Sequence, residues 1–600
     1  MRFLPLFLAF VACVIFHPVF SQATLVQDIL PGSGAGVPAK IALGSGADNR
    51  LVVLGNSTYF SADDGTHGLE LWRSDLSGTQ MVKDIQPGAV GSTPLRLLVM
   101  NNTLYFFAND GVHGDELWRS DGTAAGTVLV KDINQGANSS IRRDYVIQTK
   151  DWVVKDNTLY FAADVGSNYS QLWKSDGTEA GTVLVKNVCT SCNANNFDVS
   201  YFIVFNNLVW FTVGTNLYKS DGTTAGTKEA INSSSINGGF LSNLTVSNNK
   251  IFMRGGDPFN PKLMVTDGTE AGTQVLSTFG FYGAPRQLTA AGSKLFFFAN
   301  DQAWVSDGTV AGTVELSNKY ADNGADPINT MYAWKGSVWF AAQGANDKRY
   351  LYKSTGDGTG VAVAALLNDD FGTPQPNYIA YASDDNYLYF TGLKVASTPP
   401  GFIGRIAATD NAFAQVQVSD YVVKDMVLNN NNLYFRGDNS ATGQELWRLF
   451  VAPAEANIAP ISGTVCTGAG VSISAQVSPD GAGGTYSWNF GAGATPATAQ
   501  GIGSHTVTYS STGSKTVRLI ATGSFGNDTS TVAIVVEPAT TAQFTTVQTG
   551  LSFQFNSAGS VATTYTWNFG DGGSSSLPNP VHIFAGTGTY TVTLTTDGPC

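Results

Sequence analysis

Apolar residues in this chain come in short runs that do not alternate with polar ones. Leu104-Tyr105-Phe106-Phe107, Leu159-Tyr160-Phe161-Ala162, Leu295-Phe296-Phe297-Phe298 and Val338-Trp339-Phe340 are apolar at successive positions. An antiparallel strand with one face in water alternates. A continuous run of this length between turn residues reads as a strand covered on both faces. One stretch shows the full pattern. Leu95 to Met100 is a strand, Asn101-Asn102 a turn, and Thr103 to Ala108 a second strand. Asn109-Asp110-Gly111 turns again, Glu116 to Ser120 is a third strand, Asp121-Gly122-Thr123 opens a connection, and Thr127 to Ile133 is a fourth. Aspartate bonds its own backbone and glycine takes a positive φ without steric cost, which places the turns.

The pattern repeats. Glu116-Leu117-Trp118-Arg119-Ser120-Asp121-Gly122-Thr123-Ala124-Ala125-Gly126-Thr127 recurs from Gln171 to Thr182, and more loosely from Asn216 to Thr227, Lys262 to Thr273 and Gln302 to Thr313. Four short strands in a unit of about 46 residues are a β-propeller blade. Counted at the tryptophan position, the units carry Trp72, Trp118, Trp173, Tyr218, Met264, Trp304, Tyr352, Ile406 and Trp447. That makes nine units, whereas propellers usually have about four to eight blades. Eight or nine blades are therefore expected. Leu25-Val26-Gln27-Asp28-Ile29-Leu30-Pro31-Gly32 matches Met81 to Gly88 and is a fourth strand with no blade ahead of it. The last unit stops at Glu445-Leu446-Trp447-Arg448 and lacks a fourth strand. The first strand is expected to complete the last blade, which removes two open sheet edges.

The phrases Glu-Leu-Trp-Arg-Ser-Asp-Gly-Thr and Asp-Gly-Thr-x-x-Gly-Thr resemble the ELWxxDGT repeat family of secreted bacterial proteins, over Thr24 to about Phe450. The resemblance implies export and a surface role, and no known reaction. An Ala/Pro-rich linker from Pro453 to Pro460 follows. Thr485-Tyr486-Ser487-Trp488-Asn489-Phe490-Gly491 then pairs with Thr564 to Gly572, each followed by a further strand such as Ser514 to Leu519 or Gly588 to Leu594. Strands at this spacing read as β-sandwiches. The second module looks like a PKD domain. The first carries Gly491-Ala492-Gly493 where the second has Gly570-Asp571-Gly572, so it is a divergent copy. Trp488 and Trp567 are expected in the cores. The fold class is thus all-β: a large propeller of eight or nine four-stranded blades, then two Ig-like sandwiches. The expected divisions are a signal peptide (1–23), the propeller (24–450), a linker (451–460), the divergent PKD/Ig-like module (461–537) and the PKD domain (538–600).

Arg2 precedes an apolar run from Phe3 to Phe16, and Ser21-Gln22-Ala23 offers small residues for a cut after Ala23. This is the pattern of a secretory signal peptide. The run is too short for the ~20 apolar residues of a membrane span. The expected location is therefore secreted or on the outer cell surface. Of the remaining cysteines, Cys189 and Cys192 form the disulfide candidate, since no second pair or histidine cluster makes them half of a zinc site. Cys600 follows the turn-like Asp597-Gly598-Pro599, and more chain is expected beyond it.

Charge narrows the partners. The net charge is −13 and only 13% of residues are charged, which argues against a nucleic-acid ligand. No nucleophile elbow, paired-histidine metal motif or P-loop is present. His67 and His113 occupy one repeated loop position, which reads as a turn role. Asp63-Asp64-Gly65 and Asn109-Asp110-Gly111, near Glu70 and Glu116, offer oxygens to calcium, but Asp and Asn before Gly are first of all turn formers. No catalytic, cofactor or metal residues are assigned. The expectation is a non-enzymatic binding or adhesion protein that presents a propeller face to an extracellular glycan or protein, with PKD modules as spacers. A polysaccharide-acting glycosidase or lyase on the propeller, and a scaffold without a ligand, are the alternatives.

Overall fold

The computed structural model describes residues 23–600 except 33, 39–50, 142–151, 167–169, 189–198, 282, 321–330, 344–348, 358–361, 369–379, 394–400, 410, 412, 420, 421, 440, 452–455, 477–483, 524 and 525. The expected signal peptide, up to residue 22, and the Cys189/Cys192 candidate lie outside the described residues. The chain divides into two compact units, Gln22–Leu449 and Phe450–Cys600.

Among the described residues, the first unit holds nine four-stranded antiparallel blades: 52–83, 95–131, 152–186, 199–231, 242–278, 286–320, 332–368, 381–419, and 422–450 completed by 24–27. Blades six and seven also share one backbone pairing, Tyr320 with Gln343. The expected closure is present. Thr24–Gln27 pairs antiparallel with Gly443–Phe450, placing Thr24 opposite Arg448 and Leu25 opposite Trp447.

The non-alternating runs have a direct cause. Leu104, Phe106 and Ala108 pack into the seam with blade one, beside Tyr59, Leu71 and Ile85. Tyr105 and Phe107, on the other face of the same strand, pack into the seam with blade three, beside Leu159, Phe161 and Trp173. Successive strand residues point to opposite faces, and here both faces meet a neighbouring blade. The seam between last and first blades is built the same way, with Tyr434 and Leu446 against Leu51, Phe60 and Trp72. The inner strands of blades eight and nine also lie side by side. The sheets therefore follow one another around a ring.

One position differs from the sequence count. In each of blades one to seven the tryptophan-position residue sits opposite the central residue of the second strand, as Trp72 does Phe60 and Trp118 does Phe106. In blade eight the residue opposite Phe390 is Gly404, while Ile406 faces Leu388. The glycine is needed because a Cβ there would lie 2.7 Å from the Phe390 ring and 2.8 Å from Phe413. Phe413 takes up the space that tryptophan fills elsewhere.

In the second unit, a five-stranded sheet and a three-stranded sheet enclose Tyr486, Trp488, Phe490 and Tyr509. Two three-stranded sheets follow, around Phe555, Trp567, Phe569 and Phe584. Trp488 and Trp567 are core residues, each donating its indole N–H at 2.9 Å, to Gly501 O and Leu577 O. The last strand is Thr593–Asp597, shorter than the expected Gly588 to Leu594. In the preceding segment Tyr590 stacks on Phe584 at 4.2 Å. A disulfide joins Cys466 to Cys600 across 134 residues.

Candidate functional site

Each blade exposes two ends. The hairpin between its first two strands and the Asp-Gly-Thr turn lie at one end. The loop between its second and third strands lies at the other, together with the crossover from the previous blade. Backbone bonds tie this second pair of loops together: Asp63 N to Gly36 O, Asn109 N to Ser92 O and Asp164 N to Ser140 O, at 2.7–3.0 Å.

The aspartate and threonine side chains of the Asp-Gly-Thr turns bond within their own turn. Asp121 Oδ1 accepts from Thr123 N and Oγ1, Thr123 Oγ1 accepts from Gly126 N, and Thr127 Oγ1 donates to Thr123 O. The same set recurs at Asp176, Asp221, Asp267 and Asp307. The Thr123 donors hold the Asp121 carboxyl below its ordinary pKa. These aspartates are occupied within their own turns.

The crossover face carries the repeated acids. Glu70, Glu116 and Glu445 are fully buried. Glu70 accepts from Ile85 N, Gln86 N and Ser92 N at 2.9–3.1 Å, and from Ser92 Oγ. Glu116 accepts from Ile133 N and Asn134 N, both at 3.0 Å. Glu445 accepts from Ile29 N, Leu30 N and Gly36 N at 3.1–3.3 Å, so in the last blade it grips the amino-terminal segment. Burial pushes Glu116 and Glu445 up to about 7 even though the N–H donors pull the other way. The glutamate of the repeated phrase thus pins the crossover to its blade.

The histidine loops are also turns. Asp64 Oδ1 accepts from Thr66 N and His67 N, and Asp64 Oδ2 meets His67 Nδ1 at 2.8 Å. Asp110 and His113 repeat this, at 2.7 Å. The hydrogen bond that each imidazole N–H donates to its aspartate raises the pKa of both imidazoles. The carboxylate oxygens weighed for calcium therefore face N–H donors. Among the described residues no group of three or more His, Cys, Asp or Glu is placed to hold a metal ion.

Blade five breaks the pattern. Its loop reads Gly255-Gly256-Asp257-Pro258-Phe259-Asn260-Pro261 where blades one and two have Asp-Gly-x-His-Gly. Phe259 is 66% exposed, and it stacks on Phe281 (50% exposed), from the crossover to blade six, with ring centroids 5.2 Å apart and planes 12° from parallel. Phe240, on the crossover into blade five, is 51% exposed and its N–H donates to Gly256 O at 3.2 Å. Asp257 accepts from Phe259 N and Asn260 N, which lowers its pKa and keeps it charged beside the rings. Sequence reasoning missed these phenylalanines. The available signal was aromatics beside Gly and Pro in turns.

A second irregularity surrounds the axis. The residue five places before the inner hairpin turn is Arg96, Tyr201, Asn243 and Gln287 in blades two, four, five and six. All four have φ between 54 and 57°, and each falls in an inner-strand bulge. A left-handed backbone costs a non-glycine residue about 1 kcal/mol. Glycine is abundant in this chain, yet large polar side chains hold these places.

Two PKD family models match, over residues 455–536 and 535–599, so the C-terminal part of the chain consists of two PKD domains. In the second, Asp571 Oδ2 meets His582 Nε2 at 2.7 Å, with the imidazole stacked on Phe569 at 4.1 Å. In the first, Ala492 stands where Asp571 does, and His505 Nε2 is buried without a partner among the described residues. No curated protein sequence matches the chain. Among solved structures, the chain is similar to the extracellular domain of a hybrid two component system from B. thetaiotaomicron (10% identity over 84% of this chain and 76% of that one, TM-score 0.29). It is also similar to the tricorn protease (12%, 79% and 47%, TM-score 0.25) and to an oligogalacturonate lyase in complex with manganese (10%, 49% and 86%, TM-score 0.30). Likenesses at these scores carry no argument about function.

Proposed function

We propose that this protein is an exported, non-enzymatic binding protein that presents the crossover face of its propeller to a glycan, with the two PKD domains as spacers. The observation that carries the reading is the exposed Phe240, Phe259 and Phe281 at the crossover corner of blade five. Flat exposed rings offer a surface for the C–H face of a sugar, while Asp257 and Asn260 beside them suit its hydroxyls. Size favours a glycan over a protein. Three phenylalanines at these exposures present on the order of 300 Å², given the ~150–250 Å² each can bury. A stable protein interface takes about 800 Å² per partner. Export is supported by the leader-like start and by the Cys466–Cys600 disulfide, a bond of oxidising compartments.

The test is a glycan array probed with the full chain, with and without calcium, alongside Phe259→Ala and Phe281→Ala. The wild type should bind glycan spots equally under both conditions and leave soluble polysaccharides unshortened. Each variant should lose at least tenfold in affinity without a change in thermal unfolding. No binding to any spot, unchanged binding by both variants, or release of shortened products would overturn the reading.

A further inference from the structure

Arg254 ends the second strand of blade five, five residues before Phe259. It is half-buried, and among the described residues it has no hydrogen-bond or ion-pair partner. Burial lowers its pKa, and the Tyr201 phenol of blade four is the neighbour that favours its charge. A desolvated guanidinium without a counter-charge is costly.

The same repeat position in blade nine shows how the fold satisfies such a group internally. Arg254 is the fifth residue after the Asn248-Asn249 turn, and Arg436 is the fifth after Asn430-Asn431. Arg436 is 1% exposed, pairs with Asp425 Oδ2 at 3.1 Å and donates to Pro38 O at 2.8 Å. Asp425 lies five residues before its turn. The residue five before the turn in blade five is Asn243. Asp425 lies opposite Arg436 in register, whereas the residue opposite Arg254 is Ser242 and Asn243 lies in the adjoining bulge. The arginine is kept there, and both of these neighbours are neutral.

Building on the reading of the blade-five corner as a glycan surface, we infer that its ligand is an acidic glycan, with Arg254 receiving a carboxylate or sulfate while Phe259 and Phe281 carry a sugar ring. Arginine presents a planar fork of donors that matches either anion, and a partly dried site strengthens the pairing. Asn243 contributes a polar side chain without competing charge, at the bulge facing Arg254's strand.

The experiment is direct binding of the full chain to alginate (carboxylated), dextran sulfate (sulfated) and neutral dextran, and to an array holding neutral, uronate and sulfated glycans. Wild type should prefer one acidic class over neutral glycans by at least tenfold, and whichever of alginate and dextran sulfate binds identifies the anion. Arg254→Gln should abolish that preference and Arg254→Lys should retain part of it. Ser242→Asp, which places a carboxylate opposite Arg254 as Asp425 lies opposite Arg436, should abolish it with Arg254 still present and with unchanged thermal unfolding. Binding of neutral glycans alone, or a Ser242→Asp protein that binds acidic glycans like wild type, would overturn this inference and leave the glycan reading standing. No binding to any glycan would overturn both.

Discussion

At the scale of single residues, the repeated phrase is a set of hydrogen-bonding instructions. Its glutamate is the clearest case. Glu116 is buried against the N–H groups of Ile133 and Asn134, and burial raises it from an ordinary 4.5 to about 7. The folded pKa lies above the unfolded one, so its stabilising term is complete below about pH 4.5 and is lost as the pH rises through about 7. Denaturant unfolding of wild type and Glu116→Gln at pH 5 and pH 8 should show the wild type losing up to about 3 kcal/mol more across that interval. Parallel pH profiles would contradict this. Sequence alone showed that the glutamate recurs; its partners, on a crossover that follows in the chain, needed the fold. Gly404 was hidden for a similar reason. Spacing pointed to Ile406, and only the register against Phe390 shows the tryptophan position held by a glycine. His505 was legible as a histidine and not as one whose Nε2 lacks a partner among the described residues, because Ala492, thirteen residues earlier, stands where Asp571 does.

At the scale of strands and turns, what could be read was local. The Asn101-Asn102 hairpin, with φ of 50 and 53°, and the four strands of blade two are where the turn chemistry puts them. What joins one blade to the next was less legible. Gly177 opens the Asp-Gly-Thr turn of blade three with φ of 92°, and a Cβ there would lie 2.1 Å from Tyr105 Oη of blade two. Arg119 of blade two donates to the Gly177 carbonyl at 3.0 Å. The glycine is therefore required by the seam as well as by the turn. Gly177→Ala should destabilise the protein by about 3 kcal/mol, the sum of a left-handed alanine and an overpacked contact. A chemical-denaturation midpoint within error of wild type would refute that. The corner at Phe259 was illegible for the opposite reason. Repetition directs attention to what recurs, and this site consists of departures from it.

At the scale of the whole molecule, nine sheets in ring order follow from seams that each take alternate residues of one strand. Those seams make the non-alternating runs the most reliable signal in the chain. The count had been open between eight and nine because units after Tyr352 drift from the consensus. The degenerate eighth unit is nevertheless a full blade of four strands. The ring also gives the binding proposal its geometry, since it sets nine related corners around one axis and lets the blade-five corner carry its own aromatic loop. All of this depends on the strand Thr24–Gln27 lying beside Gly443–Phe450. Thr24 and Arg448 are directly opposed, which makes the arrangement testable by a cross-link. In a Thr24→Cys/Arg448→Cys protein under mild oxidation, peptide mapping should recover the two segments as one disulfide-linked species, and the cross-linked protein should melt at a higher temperature than its reduced form. Free thiols at both positions, or linkage of either to another cysteine, would mean the ring is not closed in this way.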